Sequence, residues 1–385
     1  MKIGVNARLL TNPYTGIGQY TYNLLRELAE IDKENEYILV VHKMPEYELV
    51  ADFGHNVRIH VLPETARGGA GVKKTWWEQA QVPQYFVKEK VDKAFFTYPC
   101  NPWNEKWYKN GIETIVTVHD CIPWKNKRYR SGVLSKMYHL QTKKNLKKAD
   151  KIFTVSMYSR DDILEYCNVD KYKISVVYND AGKEFNKVVS GEVVKEVLDK
   201  YELKKGKYFL YCGGFDERKN VSRLVEEFLH YSREDKAGMK LVLCGNPHFK
   251  HKLYENLGKF VSKSGDKIVR TGFVEGEELK ALYKGSRAFV HLSKEEGFNI
   301  PIVEAANMGA PLVLSDIDVH KEIAGNNALY VDLKVKGDGA SAMERMLDDS
   351  VYDDYSKRAK ELAEKYSWSS TAQKVKEVIF SERKK

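Results

Sequence analysis

Short β-rich runs alternate with helical segments along almost the whole chain, and the alternation starts twice. Such a rhythm predicts an α/β protein built on parallel sheets. The first series of expected strands is Ile3–Arg8, Tyr37–His42, Val57–Leu62, Lys93–Thr97, Thr114–His119, Ile152–Ser156 and Ile174–Tyr178, with helices at Gly18–Ile31, Trp76–Lys88 and Val133–Ala149. The second series is Tyr208–Cys212, Leu241–Cys244, Lys267–Arg270, Ala288–Leu292, Pro311–Leu314 and Leu329–Val331. Tyr352–Lys365 and Ser369–Arg383 read as two closing helices, broken near Tyr366-Ser367-Trp368. Two Rossmann-like units joined near Asp180–Asn186 are the simplest arrangement, and a length of 385 residues favours two domains. Ligands of open parallel sheets lie outside the carboxyl ends of the strands, so the loops that follow strands are where chemistry is sought.

Composition narrows the class. A chain that is 43% hydrophobic and 30% charged can bury a sizeable core. No apolar stretch approaches the roughly 18 residues of a membrane span, and Met1 to Arg8 reads as a strand without the apolar region of a signal peptide. Five widely spaced cysteines predict free thiols in a reducing compartment, so a cytoplasmic location is expected. Net charge is +9, and the segment 125–148 holds nine Lys/Arg and no acid. Trp124, Tyr129, Met137, Tyr138 and Leu140 are interleaved with those cations. A solvated helix face is the first account of the segment and peripheral contact with an anionic membrane the second. Mixed charge elsewhere, with no nucleic-acid motif, puts nucleic acid outside the expected partners.

The stretch Ser293-Lys294-Glu295-Glu296-Gly297-Phe298-Asn299-Ile300-Pro301-Ile302-Val303-Glu304 is the most informative about chemistry. It follows an apolar run expected as a strand, and Pro301 suits the first position of a helix. Glu296 then lies in a strand-to-helix loop, Glu304 on the first helical turn, and the amides of Gly297 to Ile300 face an anion. Two carboxylates flanking an anion site fit a ligand with hydroxyl-rich ends and a charged middle, which is the layout of a sugar nucleotide. Ser293-x-x-Glu296 also spells a capping box, but Gly297 and Pro301 argue against a helix starting at Ser293.

Other loops carry further candidates. Gly16-Ile17-Gly18 precedes a helix and could bring backbone close to a phosphate, yet the third glycine of a dinucleotide fingerprint is missing. A structural turn explains the pair equally well, and the missing glycine disfavours a nicotinamide-dependent oxidoreductase. Gly213-Gly214-Phe215-Asp216-Glu217-Arg218-Lys219-Asn220 places two cations at a helix start, where the helix dipole prefers acids, so a strong anion is expected there. His119, at the carboxyl end of a strand, can donate or accept a proton near neutral pH. Asp316-Ile317-Asp318 could hold a metal, but Asp318 suits an N-cap for His320–Ala324, so it is read as a cap and turn. No metal is expected.

Together these segments resemble the retaining GT-B glycosyltransferases of family 4, over nearly the whole chain. Thr15 to Tyr20 is similar to the family's N-terminal glycine loop. Trp77-Glu78-Gln79, Val118 to Pro123 and Val155 to Arg160 resemble its mannosyltransferase-like branch. Gly213 to Asn220, Cys244-Gly245, Thr271 to Val274 and Leu279-x-x-Leu282-Tyr283 resemble its donor domain, and Glu296-x7-Glu304 is the most specific match.

The resemblance implies two Rossmann-like domains facing across a deep cleft. Residues 1–182 would bind acceptor and 183–367 the nucleotide sugar, with a helix at 368–385 crossing back to the first domain. It implies that Glu296 binds donor-sugar hydroxyls, Glu304 the ribose, and Arg218 and Lys219 the leaving diphosphate. Gly214, Gly297 and the amides of Phe298, Asn299 and Ile300 would support sugar and phosphate, while the Phe273-Val274 backbone would read the base. His119 would touch the reaction centre, and Gly16 and Gly18 would admit diphosphate and acceptor. One departure is Gly213-Gly214 where many relatives carry Gly-Arg, which throws charge neutralisation onto Arg218 and Lys219. Asn179-Asp180 also replaces a common Asn-Gly.

The expected activity is transfer of a hexose, mannose from GDP-mannose, to a glycan or lipid-linked acceptor at the inner membrane face, without metal or other cofactor. A UDP- or other NDP-sugar donor, a nucleotide-sugar epimerase and a non-enzymatic membrane-surface protein are the alternatives.

Overall fold

In the computed structural model, residues 1–233, 237–245 and 265–381 are described. The first series of strands is β1 (Lys2–Asn6), β2 (Glu36–Val41), β3 (Val57–Val61), β4 (Lys93–Phe96), β5 (Glu113–Val118), β6 (Lys151–Thr154) and β7 (Ile174–Val176). They pair in parallel in the order β3-β2-β1-β4-β5-β6-β7. The central strands are buried along both faces, as strands of a parallel sheet covered by helices on both sides are. The second series is β8 (Tyr208–Cys212), β9 (Lys240–Cys244), β10 (Ile268–Gly272), β11 (Ala288–His291), β12 (Leu312–Ser315) and β13 (Ala328–Val331). It forms a second parallel sheet ordered β10-β9-β8-β11-β12-β13. Every expected strand is present with no end shifted by more than two residues, the usual scatter of boundaries.

The chain divides into one unit of Met1–Asn179 with the stretch from Trp368, and another of Asp180–Ser367, where the sequence reading divided it at 182. The helix Trp368–Phe380 belongs to the first unit through its own apolar stripe. Trp368, Ala372, Val375 and Ile379, at helical spacing, are buried. The helix packs on Gly16–Ile31, with the Trp368 ring 6.1 Å from that of Tyr20. Lys151 donates to the carbonyls of Ile379 (3.1 Å) and Ser381 (2.8 Å), placing a cation at the negative end of the helix. Residues 382 and 383 of the expected closing helix lie outside the described residues.

Helix boundaries depart from expectation in informative places. The Trp76–Lys88 helix is instead Ala70–Trp76, a π-helical turn at Trp77–Gln81, and Val82–Glu89. The basic helix runs Val133–Leu146. No helix among the described residues is long and apolar enough to cross a membrane. All five cysteines are free thiols.

Candidate active site

In each sheet the strand order reverses once, between β1 and β4 in the first unit and between β8 and β11 in the second. At such a reversal the two following helices leave on opposite sides and open a crevice at the strands' carboxyl ends. In the second unit the loops after β8 and β11 meet there, carrying Gly213–Asn220 and Leu292–Asn299.

The meeting joins residues far apart in sequence. Glu296, 4% exposed, receives Lys219 Nζ on Oε1 at 2.7 Å and an Arg218 guanidinium nitrogen on Oε2. Burial pushes the Glu296 carboxyl up, but Lys219 and Arg218 outweigh it and hold the group ionised, well below the usual carboxylate range. Arg218 also contacts Asp216 at 3.1 Å, and its backbone carbonyl accepts from Lys294 N at 2.7 Å, which ties the two loops together. Arg218 and Lys219 lie in a 3-10 turn, Glu217–Lys219. The helix Val221–Tyr231 starts after Asn220 at φ 54°, so neither cation opposes the helix dipole from inside the helix.

A buried polar network backs Glu296. Ser293 Oγ donates to Glu296 Oε1 at 2.7 Å and lies 2.9 Å from His291 Nδ1. The Ser293 and Glu296 side chains are thus hydrogen-bonded without any helix starting at Ser293. Asn299 Nδ2 is 3.1 Å from both His291 Nδ1 and His320 Nε2. Burial drives the His320 imidazole down to about 4 and His291 well below its ordinary value, with Lys219 adding to the effect on His291. Both rings are therefore neutral near pH 7. His291 Nε2 and Asn299 Oδ1 are buried without a hydrogen-bond partner.

The helix that follows is Ile300–Asn307. Pro301 is its second residue and Glu304 falls on its second turn rather than its first, because Asn299 at φ 80° starts the helix one residue early. Its first turn carries no acid and no side-chain cap. Glu304 is buried and accepts from Tyr283 OH at 2.9 Å. Phe298 is buried edge-on to Tyr366, 5.5 Å between centroids, and Gly297 and Ile300 near it are buried too.

Two more loops reach the same edge of the sheet. Gly245 follows β9 at φ +126°, and a Cβ there would stand 2.4 Å from Gly213 O, so only glycine lets the β8 and β9 loops approach. Gly214 is exposed, and its carbonyl accepts from Tyr211 OH. Phe273 is half exposed after β10, and Val274 beside it is buried.

His119, Gly16 and Gly18 belong to the first unit. His119 Nε2 faces the Thr97 carbonyl at 2.8 Å and must carry the proton there, leaving Nδ1 as the acceptor. Burial takes its pKa down to about 4, against the opposing Thr97 contact. Its ring stands edge-on to Tyr20, 4.7 Å away, on the helix Gly16–Ile31. That helix starts at Gly16, so the glycine pair lies inside its first turn and not before it, with Thr15 Oγ1 accepting from Gly18 N. A Cβ on Gly18 would meet Asn12 O at 2.0 Å, whereas one on Gly16 would meet nothing within 4 Å. Gly18 is thus required by the backbone packed against it, and Gly16 alone of the pair has open space for a ligand.

Asp318 is the first residue of the helix Asp318–Ala324 and not its cap, which falls on Ile317, and Asp316 pairs with Lys321. Among the described residues no three His, Cys, Asp or Glu side chains are grouped to hold a metal ion.

Sequence reasoning missed Ser293 and Tyr283 as side-chain hydrogen-bond partners of the two glutamates, and His291 and His320 as the network behind Ser293 and Asn299. A histidine inside the otherwise apolar Phe289-Val290-His291-Leu292 was the signal for His291. The reading gave Glu78 no role of its own, and it is fully buried, accepting from Tyr98 OH at 2.6 Å and Tyr138 OH at 3.0 Å.

Two parallel sheets of this order, with the final helix returned to the first unit, make a GT-B fold. WaaG, a glycosyltransferase involved in lipopolysaccharide biosynthesis, shares it with a TM-score of 0.76 over 99% of this chain and 100% of its own, at 12% identity. Anabaena HepE in complex with UDP-glucose shares it with a TM-score of 0.75 over 98% and 99%, at 12% identity. The chain belongs to the family 4 glycosyltransferases: residues 14–179 match Glycosyltransferase Family 4 and residues 206–349 match Glycosyl transferases group 1. It is 25% identical to O-antigen chain mannosyltransferase B of Escherichia coli, over 96% of this chain and 97% of that one. It is 32% identical to O-antigen chain mannosyltransferase RfbU of Salmonella typhimurium over 49% of each chain. The protein is a glycosyltransferase.

Proposed function

We propose that the enzyme transfers mannose from GDP-mannose, with retention of configuration, to a hydroxyl of a glycan or lipid-linked acceptor. The observation that carries the reading is the buried carboxylate of Glu296 held between Arg218 and Lys219 at the strand-order reversal of the second unit. A carboxylate for hydroxyls and cations for phosphate, side by side, match the point where a sugar joins its diphosphate. Mannosyltransferase relatives support the sugar, and the GDP base is the finer expectation.

As the C1–O bond to phosphate breaks, its electron pair stays on the phosphate oxygen, and positive charge builds on the ring. Arg218, Lys219 and the uncapped turn at Ile300 stabilise that leaving oxygen, the kind of fixed electrostatics that dominates such rate enhancements. The acceptor oxygen forms its bond to C1 on the same face, and its proton passes to the departing phosphate. These cations let the reaction run without a metal. Glu296 orients the sugar hydroxyls, Glu304 the ribose, and His119 presents an unprotonated Nδ1.

Thermal stability with a panel of nucleoside diphosphates and nucleotide sugars, with Mg²⁺ or EDTA, tests donor and metal together. Binding to the native state alone adds about 2.7 kcal/mol at a hundredfold excess over Kd. Stabilisation by GDP and GDP-mannose that survives EDTA is expected, followed by an α-linked product from an α-linked donor in NMR. Stabilisation by UDP alone would reassign the donor, and none with any nucleotide would overturn the reading. A free sugar product formed without acceptor would mark an epimerase.

A further inference from the structure

The helix Val133–Leu146 is built inside out. Of its buried residues Thr142 and Asn145 are polar and only Leu146, at the last position, is apolar, while Val133, Leu134, Met137 and Leu140 are 73%, 72%, 55% and 57% exposed. Val133, Met137 and Leu140 recur at i, i+4 and i+7, so they form one stripe with Leu134 beside it. Lys144 and Lys147 continue that stripe, both exposed, and Lys136 flanks it. Four large apolar side chains left in water on adjacent turns are a contact surface and not scattered exposure. The neighbouring helix Ala70–Trp76, linked through Lys74 Nζ lying 5.7 Å from the Tyr138 ring, exposes Val72 and Trp76 as well.

We infer that this helix is the site at which the enzyme docks on an anionic lipid surface, with the apolar stripe in the headgroup boundary and the lysines against lipid phosphates. Charge decides the occupant. The segment 125–148 has nine cations and no acid, and Lys125 and Lys148 reach outside it to pair with Asp162 and Glu105. A second copy of the chain would set this cation-rich face against itself or against a surface of the same net positive molecule. Apolar side chains framed by lysines are the pattern of an interfacial helix. The inference goes beyond the donor assignment and does not depend on it.

Flotation of the full chain with phosphatidylcholine vesicles, with and without phosphatidylglycerol, tests it. Binding to the anionic vesicles that weakens with salt is expected. Leu134→Glu/Leu140→Glu should lower partitioning at least roughly tenfold, and Lys144→Glu/Lys147→Glu should abolish the preference for anionic lipid. Stabilisation by nucleotide should be unchanged in both variants, which separates failure here from failure of the donor reading. Binding that ignores lipid charge, or that survives both variants, would overturn the inference. So would a wild-type dimer in sedimentation that Leu134→Glu/Leu140→Glu makes monomeric without any vesicle binding.

Discussion

Glu296 carries two duties, since it is placed for ligand hydroxyls and is also the counter-charge of Arg218 and Lys219. A role toward ligand hydroxyls alone would let Glu296→Ala cut turnover by several powers of ten and leave the fold intact. The ion pairs change that expectation, because removing one member of a buried ionic cluster strands the others. Glu296→Gln should cut single-turnover rates by about a thousandfold and cost about 3 kcal/mol in urea titration. A variant of unchanged stability would show that the two cations do not need the carboxylate. The glutamate pair itself was legible from its spacing, as was the cation pair after β8. Their contact was not, because nothing local to residues 218 and 296 specifies that β8 and β11 are neighbours.

At the scale of the element, the two glycines of the first helix separate. Gly18→Ala puts a methyl group onto the Asn12 carbonyl, against backbone that cannot yield cheaply, and should cost roughly 2–4 kcal/mol in a melting experiment. Gly16→Ala meets open space and should leave stability within about 0.5 kcal/mol. If Gly16→Ala keeps its melting point but raises the KM for donor or acceptor, Gly16 borders the ligand; unchanged kinetics would leave it a plain helix start. A sequence reading gives both glycines the same role because spacing is all it sees. The helix start at Gly16 and the return of Asn12 against Gly18 are set by the 3-10 turn Arg8–Thr11, which no periodicity announces.

For the whole molecule, acid stability follows from neutral histidines, buried or half-buried, in both units. His42, His119 and His320 are each driven down to about 4, by burial first and nearby cations where present. Between the ordinary value of 6.5 and that value the unfolded chain binds more protons than the native one, so stability falls as pH drops through this window. His320, fully buried, should alone contribute about 3 kcal/mol to that loss. Below the ordinary carboxyl value of 4.5 Glu296 adds to it, since its lowered native pKa makes its stabilisation present above 4.5 and lost beneath. A melting temperature flat from pH 7 to pH 4.5 would contradict this account. Trp368→Ala tests the returning helix: loss of a buried indole against Tyr20 should cost the first unit about 4 kcal/mol, read by calorimetry.

The order of strands and helices, the domain number, the glutamate spacing and the basic segment were determined by the sequence alone, because each is a local pattern of period, charge or turn chemistry. Only the tertiary structure decided that Arg218 and Lys219 close on Glu296 and that His291, Asn299 and His320 stand behind it. It also decided that Gly18 serves packing, and that the basic helix turns its apolar residues outward. Those facts depend on which strands become neighbours and which helix face meets the sheet. Such choices are fixed by burial summed over the whole chain, and no single segment encodes them.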